Sequence, residues 1–323
     1  MTRRAPRPCL LALLCAAAGC TPRAPAPPPS PAADEVRWSA FRWEGATLGG
    51  REYEHVAILV PIESPQLGGR YWLQLDTGAE SDLWIYRAPL AQLLARGGAA
   101  YDSARGVRID GAIGEYPLRQ APVQVLRYAG DTIDAGDAIP KIGTLGLQFL
   151  ESRVLLLDLP GARFALLDSA QALPAWAAGA SWVPIEHRDG KMFIPLRVGG
   201  QEYRGFFYDS GASLFALSTT PELWRELTGR NGTEPGNTVL RVPSFGQQIV
   251  MRGAPVPGPV SVGDAALQGP LAFYVAEGPP RLDFHTWGFP VDGLVGNALF
   301  ADRYVVIVDL PRRRFGLVRP PPG

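Results

Sequence analysis

The chain has 323 residues, 46% of them hydrophobic and 10% aromatic, which is enough for a large buried core and too much for a disordered chain. Lysine plus arginine and aspartate plus glutamate stand equal at 31 each, so no net field draws in nucleic acid or an anionic membrane surface, and neither is expected as a partner. Lys141 and Lys191 are the only lysines, and the arginines are not clustered as a phosphate site would need.

At the start of the chain, Arg3, Arg4 and Arg7 precede an apolar run from Cys9 to Ala18. That run is too short to span a bilayer as a mature helix and suits the h-region of a secretory signal. It ends Ala17-Ala18-Gly19-Cys20, similar to a bacterial lipobox, in which the chain is cut before the cysteine and the cysteine is lipidated. The reading is therefore a lipoprotein signal peptide over residues 1–19, lipidation at Cys20, and an exported protein on the periplasmic side of the cell envelope. Ala17 stands where such sequences more often carry Leu, which leaves ordinary cleavage after a small residue as the alternative. Residues 20–35 read as a stiff tether, because Pro22, Pro25, Pro27, Pro28, Pro29 and Pro31 favour extended polyproline II and cannot pack a core. No later stretch approaches 18 uninterrupted apolar residues, so the membrane is expected to be reached only through the N-terminal lipid. Cys9, Cys15 and Cys20 all lie in this leader, so the folded region is expected to form no internal disulfide. His55, His187 and His285 are far apart and lack zinc-ligand spacing, so no metal or other cofactor is expected.

From about Val36 onward, short apolar runs such as His55 to Ile62, Tyr71 to Leu75, Val154 to Leu157 and Tyr304 to Val308 alternate with Gly, Pro and Asp turn signals. That is an all-β pattern. The helix candidates are Ala88 to Ala95 and Glu222 to Leu227, each a similar distance after an Asp-containing motif. The motifs belong to an internal repeat. YWLQLDTGAESDLWI around Asp76 matches GFFYDSGASLFAL around Asp209, and TLGLQFLESRVLLLDLPGARFAL from Thr144 matches LVGNALFADRYVVIVDLPRRRFGL from Leu294. Two copies of one unit predict two similar lobes, over 36–175 and 176–323.

These motifs resemble those of the pepsin and retropepsin families of aspartic peptidases, over nearly everything from residue 40 to residue 318. The resemblance implies a bilobal pepsin-like fold, two duplicated retropepsin-like β-barrel lobes with a cleft between them, in which an apolar strand delivers Asp-Thr/Ser-Gly and a later apolar-apolar-Gly segment supports it. Here the delivering segments end in Asp76-Thr77-Gly78 and Asp209-Ser210-Gly211, and the supporting ones are Thr144-Leu145-Gly146 and Leu294-Val295-Gly296; Thr144 departs from the usual apolar residue. Between them the families carry a glycine-rich flap hairpin that closes over bound peptide. Val107 to Tyr116 looks like that hairpin, with Ile109, Gly111, Ile113, Gly114 and Tyr116 as flap or substrate-contacting residues, and a plain surface hairpin is the alternative.

Peptide hydrolysis without a metal needs a base to activate water and an acid to protonate the carbonyl oxygen and then the leaving amine. Two carboxylates about 3 Å apart cannot both ionise, so they share one proton and supply both roles, as is known for aspartic proteases. The resemblance implies an aspartic-type endopeptidase with Asp76 and Asp209 as the dyad, a peptide or protein substrate between the lobes, and a monomer. It also implies that Thr77 and Ser210 hydrogen-bond across the lobes. Gly78 and Gly211 bring backbone N–H groups to the carboxylates. Ala79 and Ala212 follow, where strongly acid-active pepsins often carry Ser or Thr, so the dyad is expected to work closer to neutrality. The competing reading is a catalytically idle pepsin-like lipoprotein that binds a peptide or envelope polymer. A serine hydrolase is disfavoured, since no G-x-S-x-G pentapeptide occurs.

Overall fold

The computed structural model describes residues 36–96, 106–126, 140–244 and 247–320. The signal peptide, the tether and Cys20 lie outside the described residues.

The alternating apolar runs become strands of three sheets. In the first lobe seven strands follow the order Arg42–Leu48, Arg51–Ser64, Gly69–Asp76, Lys141–Gly146, Leu83–Tyr86, Tyr116–Leu126 and Val107–Ile113. A further pairing of Arg51–Ser64 with Val107–Ile113, Ile62 opposite Ile113, curls this sheet back on itself. Ile58, Val60, Ile62, Leu73, Leu75, Ile85, Ile109 and Ile113 fill its interior at 0–1% exposure, and none tolerates a polar exchange. The second lobe repeats the plan in a ten-stranded sheet. In both, the strand that leads into the Asp motif pairs parallel with the strand that ends in the supporting glycine segment. Asp76 lies opposite Gly146 in one copy, and Tyr208 opposite Val295 in the other. The strand after each motif, Leu83–Tyr86 or Leu217–Thr219, runs antiparallel on the other side of that supporting strand. Every Asp motif is thus flanked by paired backbone, which limits how far its loop can move.

A six-stranded sheet takes strands from both copies: Ser39–Ala40, Arg163–Asp168, Arg153–Asp158, Val305–Asp309, Arg314–Val318 and Ser181–Pro184. Its centre pairs Arg153–Asp158 antiparallel with Val305–Asp309, with Leu156 opposite Ile307. Those two residues are equivalent in the repeat, so the approximate two-fold axis relating the lobes passes through their pair. Both are fully buried, and stripping either to Ala would cost about 2–5 kcal/mol at the junction of the lobes. Asp158 and Asp309 follow these strands at equivalent positions. Each starts a tight turn and holds the arginine five residues on, Arg163 at 2.6 Å and Arg314 at 2.8 Å.

The two helices form as Arg87–Arg96 and Pro221–Thr228. The second has a complete set of boundary signals: Thr220 caps the Leu223 N–H at 3.2 Å, Pro221 takes the first turn, and Gly229 ends the helix in the left-handed region.

The hairpin expected to be a flap is placed otherwise. Along Arg51–Ser64, Leu59 faces Gln74 and Ile62 faces Tyr71, so Ile62 and its partner Ile113 sit five residues, or about 16 Å, down the strand from Asp76. The turn beyond Ile113 is tied down at that remote end. The Gly114 N–H donates to the Pro61 carbonyl at 3.0 Å and the Glu115 N–H to Ser39 Oγ at 2.8 Å. Tyr116 donates to Asp168 at 2.8 Å, accepts from Arg153 Nε at 2.9 Å, and sets its ring edge-on to Phe149. Ile109 and Ile113 are core residues at 0% exposure. Gly111 is a glycine because a Cβ there would meet the Glu63 carbonyl oxygen at 2.0 Å, where the sheet closes. The hairpin is a barrel-closing element, and the flap assignment of Ile109, Gly111, Ile113, Gly114 and Tyr116 is corrected accordingly.

Candidate functional site

The two Asp motifs meet at the seam between the lobes, each delivered by the end of a strand whose interior side chains are locked in the core. Their threonine and serine fasten them. Thr77 Oγ1 donates to the Tyr208 carbonyl at 3.0 Å and accepts the Ser210 N–H at 2.9 Å; Ser210 Oγ donates to the Leu75 carbonyl at 3.0 Å and accepts the Thr77 N–H at 3.0 Å. Each hydroxyl thereby donates once and accepts once, and both are fully buried, so every polar atom in this cross-lobe clasp has its partner.

Asp76 and Asp209 lie above the clasp, half-buried and hydrogen-bonded to each other through their carboxyl groups. Their backbone donors are unequal. Asp76 Oδ1 accepts from the N–H of Gly78 at 2.9 Å and of Ala79 at 3.1 Å, whereas Asp209 Oδ1 accepts from Gly211 at 2.9 Å. Burial pushes both carboxyls above the usual aspartate range, and the positive charge of Lys191 draws both back part of the way. Asp209 is raised further because it faces the Asp76 charge and is the donor in their mutual hydrogen bond. On Asp76 that hydrogen bond and the two amides favour the charged form. These surroundings favour the charged form at Asp76 and the protonated form at Asp209, within a pair that titrates as a unit.

The glycines act across the seam rather than within their own turns. A Cβ on Gly78 would lie 2.5 Å from Cγ of Asp209, and one on Gly211 would lie 2.4 Å from Cγ of Asp76. Each glycine leaves the space that the opposite carboxyl occupies. The supporting glycines do the same for the loops, since a Cβ on Gly146 would meet Ser81 Oγ at 2.1 Å and one on Gly296 the Ala212 carbonyl oxygen at 2.2 Å.

Several residues that hold the site carry no motif signal. Asn297, fully buried, donates to the Ser210 carbonyl at 3.1 Å and to Ser213 Oγ at 2.8 Å, and accepts from the Tyr208 hydroxyl at 2.6 Å. Burial, with Asp209 beside it, pushes the Tyr208 phenol far above its ordinary range, so it stays a donor. In the repeat Asn297 corresponds to Leu147, and that inequality between otherwise matching segments is the trace a sequence reader could have followed. Gln74 reaches the Gly211 carbonyl at 3.4 Å from the strand before the first motif. Leu214 and Phe215, just beyond the second motif, pack with Leu240, Val242, Ile249, Met251 and Phe273 and with Leu48 and Tyr53 from the opening hairpin of the first lobe. Trp72 is buried with the guanidinium groups of Arg42 and Arg70 at 5.2 and 5.6 Å from its ring, and Trp84 bonds to Gln124, so the contacts of both tryptophans lie with residues other than the dyad.

No known family profile matches the chain, and no curated protein matches it. Among solved structures, the aspartic proteinase from Irpex lacteus aligns over 82% of this chain and 94% of its own, at 13% identity and a TM-score of 0.46. So loose a likeness adds nothing to the chemistry of the site.

Proposed function

We propose that this chain is an aspartic-type endopeptidase that hydrolyses peptide bonds with water activated between Asp76 and Asp209. One observation carries the reading: two carboxyl groups, one from each copy of a repeat, share a hydrogen bond over a fully satisfied cross-lobe clasp, in space left open by the missing Cβ of Gly78 and Gly211. Nothing in the packing of a β fold calls for two half-buried carboxyls side by side, a pair that is costly to hold even with a proton shared between them.

In the proposed cycle Asp76, held as carboxylate by two amides, takes a proton from the water. Asp209 gives its proton to the scissile carbonyl oxygen. The resulting diol collapses as Asp76 returns its proton to the leaving amine nitrogen and Asp209 takes a proton back from a diol hydroxyl; the C–N bond breaks, a carboxylic acid and an amine leave, and the dyad again holds one proton. Because burial raises both carboxyls, activity is expected above the strongly acid range. The family resemblance leads us to expect an extended peptide with apolar side chains on both sides of the cut bond as substrate. The leader sequence supports an enzyme exported to the cell envelope and tethered through Cys20; metabolic labelling with a fatty acid, lost in Cys20→Ser, tests the tether. A peptide-library digest with wild type, Asp76→Asn and Asp209→Asn, with and without pepstatin, tests the enzyme. Cleavage by the wild type that pepstatin and either substitution abolish supports hydrolysis. A wild type that binds peptides and cuts none from acid to mildly alkaline pH would point to the binding module instead.

A further inference from the structure

Lys191 sits where the repeat has no counterpart. Aligning the lobes on the strand partners of the residues two before each aspartate, Leu59 opposite Gln74 and Phe193 opposite Phe207, sets Lys191 against Ala57. The second lobe has therefore placed a cation where the first has a buried methyl group. The hairpin that delivers it turns through Asp189 and Gly190, both at positive φ (49° and 68°), the signature of a tight two-residue turn. The turn packs so closely on the first lobe that a Cβ on Gly190 would lie 2.2 Å from Cδ of Glu80.

From there Lys191 crosses the seam. Its ammonium donates to the Gly78 carbonyl at 2.7 Å and to Glu80 Oε1 at 3.1 Å, and the side chain is only 11% exposed. The Gly78 carbonyl belongs to the same peptide unit as the Ala79 N–H, the second donor to Asp76 Oδ1 at 3.1 Å. A cation on the oxygen of a peptide makes its N–H a stronger donor, so the charge of Lys191 is passed to Asp76 through one peptide group. The Ala79 N–H is shared, since it also reaches the Asp76 main-chain oxygen at 3.2 Å; its equivalent, the Ala212 N–H, bonds to the Asp209 main-chain oxygen at 3.2 Å and adds no bond to the Asp209 carboxyl. The charged and titratable groups around this arrangement are the Asp76–Asp209 pair with its one shared proton, the Glu80 carboxylate, Lys191 as cation, and the Tyr208 phenol beside Asp209. The Trp287 ring lies over the ammonium at 5.7 Å.

We infer that Lys191 is a positioning residue of the dyad: it holds the first Asp loop from the opposite lobe, and through the Gly78–Ala79 peptide it makes Asp76 the carboxylate and sets the pH range in which the pair carries one proton. The inference rests on the hydrolytic reading for its kinetic consequences, but the charge effect is measurable in a chain that cuts nothing. Loss of the cation should move both limbs of the pH profile of kcat/KM upward in Lys191→Met, by at least about half a pH unit for a unit charge within about 8 Å. Lys191→Arg should restore the wild-type profile, and Glu80→Gln, which removes an anion, should move it downward. The urea midpoint gives the second readout. Both carboxyls are raised on folding, so the stability they confer is full below the usual aspartate range and is lost as pH rises through their folded values. In Lys191→Met that loss should extend to higher pH, and in Lys191→Arg it should not. A wild type without peptidase activity would remove the hydrolytic reading and leave the midpoint test standing. A Lys191→Met variant whose kcat/KM falls equally at all pH values, or whose midpoint tracks the wild type, overturns the inference. An arginine variant as displaced as the methionine one overturns it too.

Discussion

Substituting alanine for Gly78 or Gly211 separates the dyad without touching a carboxyl. The added methyl carbon at Gly78 would stand 2.5 Å from Cγ of Asp209, and the one at Gly211 2.4 Å from Cγ of Asp76, where ordinary carbon contacts begin near 3.4 Å. Both loops are held by the clasp and by paired strands, so the carboxyl is the part free to give way, by about 1 Å. A displacement of that size at reacting groups costs about 100-fold in rate. Forcing one methyl group into this packing costs about 1–3 kcal/mol of stability, too little to unfold the chain. Each variant should therefore keep its sheet content and a urea transition while kcat on a chromogenic peptide falls about 100-fold, and the double variant should lose little more than either single one, since both break the same contact. Either alanine variant turning over within threefold of wild type would refute the claim that the two carboxyls must touch.

Further outcomes follow from the same geometry. Ser210→Ala strands the buried Thr77 N–H and Leu75 carbonyl, at about 1–3 kcal/mol each, so its urea midpoint should fall by about 1 M; an unchanged midpoint would mean that the clasp is not satisfied as described. Asp209→Asn removes a carboxyl whose ionisation opposes folding, so at pH 7 it should be more stable than wild type and its midpoint should vary less between pH 4 and pH 8, by circular dichroism in urea. Tyr116→Phe should leave kcat/KM within about twofold while lowering stability through the lost bonds to Asp168 and Arg153, by about 1 kcal/mol; a large kinetic loss with stability intact would restore a flap role to this hairpin.

The parts legible in the sequence were those the duplication wrote twice. Apolar strand, Asp-Thr/Ser-Gly and the later glycine segment recur in order, so the all-β bilobal fold and the meeting of Asp76 with Asp209 could be read from local pattern. The hairpin at Val107–Ile113 misled because glycine signals a special backbone without saying why. Gly111 and Gly114 read as a mobile tip, yet one admits the Glu63 carbonyl and the other packs on Ser39 and Phe164. Lys191 and Asn297 were invisible for the opposite reason: each acts through a contact across the fold, and each lies where the two copies disagree. Conversely, the helix at Pro221–Thr228 could be bounded closely, since Thr220, Pro221 and Gly229 are local signals that need no partner.

The central claim is that Asp76 and Asp209 act together on a peptide bond. Digestion of a peptide library by purified wild type, Asp76→Asn and Asp209→Asn across acid to neutral pH tests it most directly. The account predicts pepstatin-sensitive cleavage by the wild type and a loss of at least about 1,000-fold in each variant, the scale on which acid–base catalysis by a positioned group contributes. Normal cleavage by either asparagine variant would contradict it.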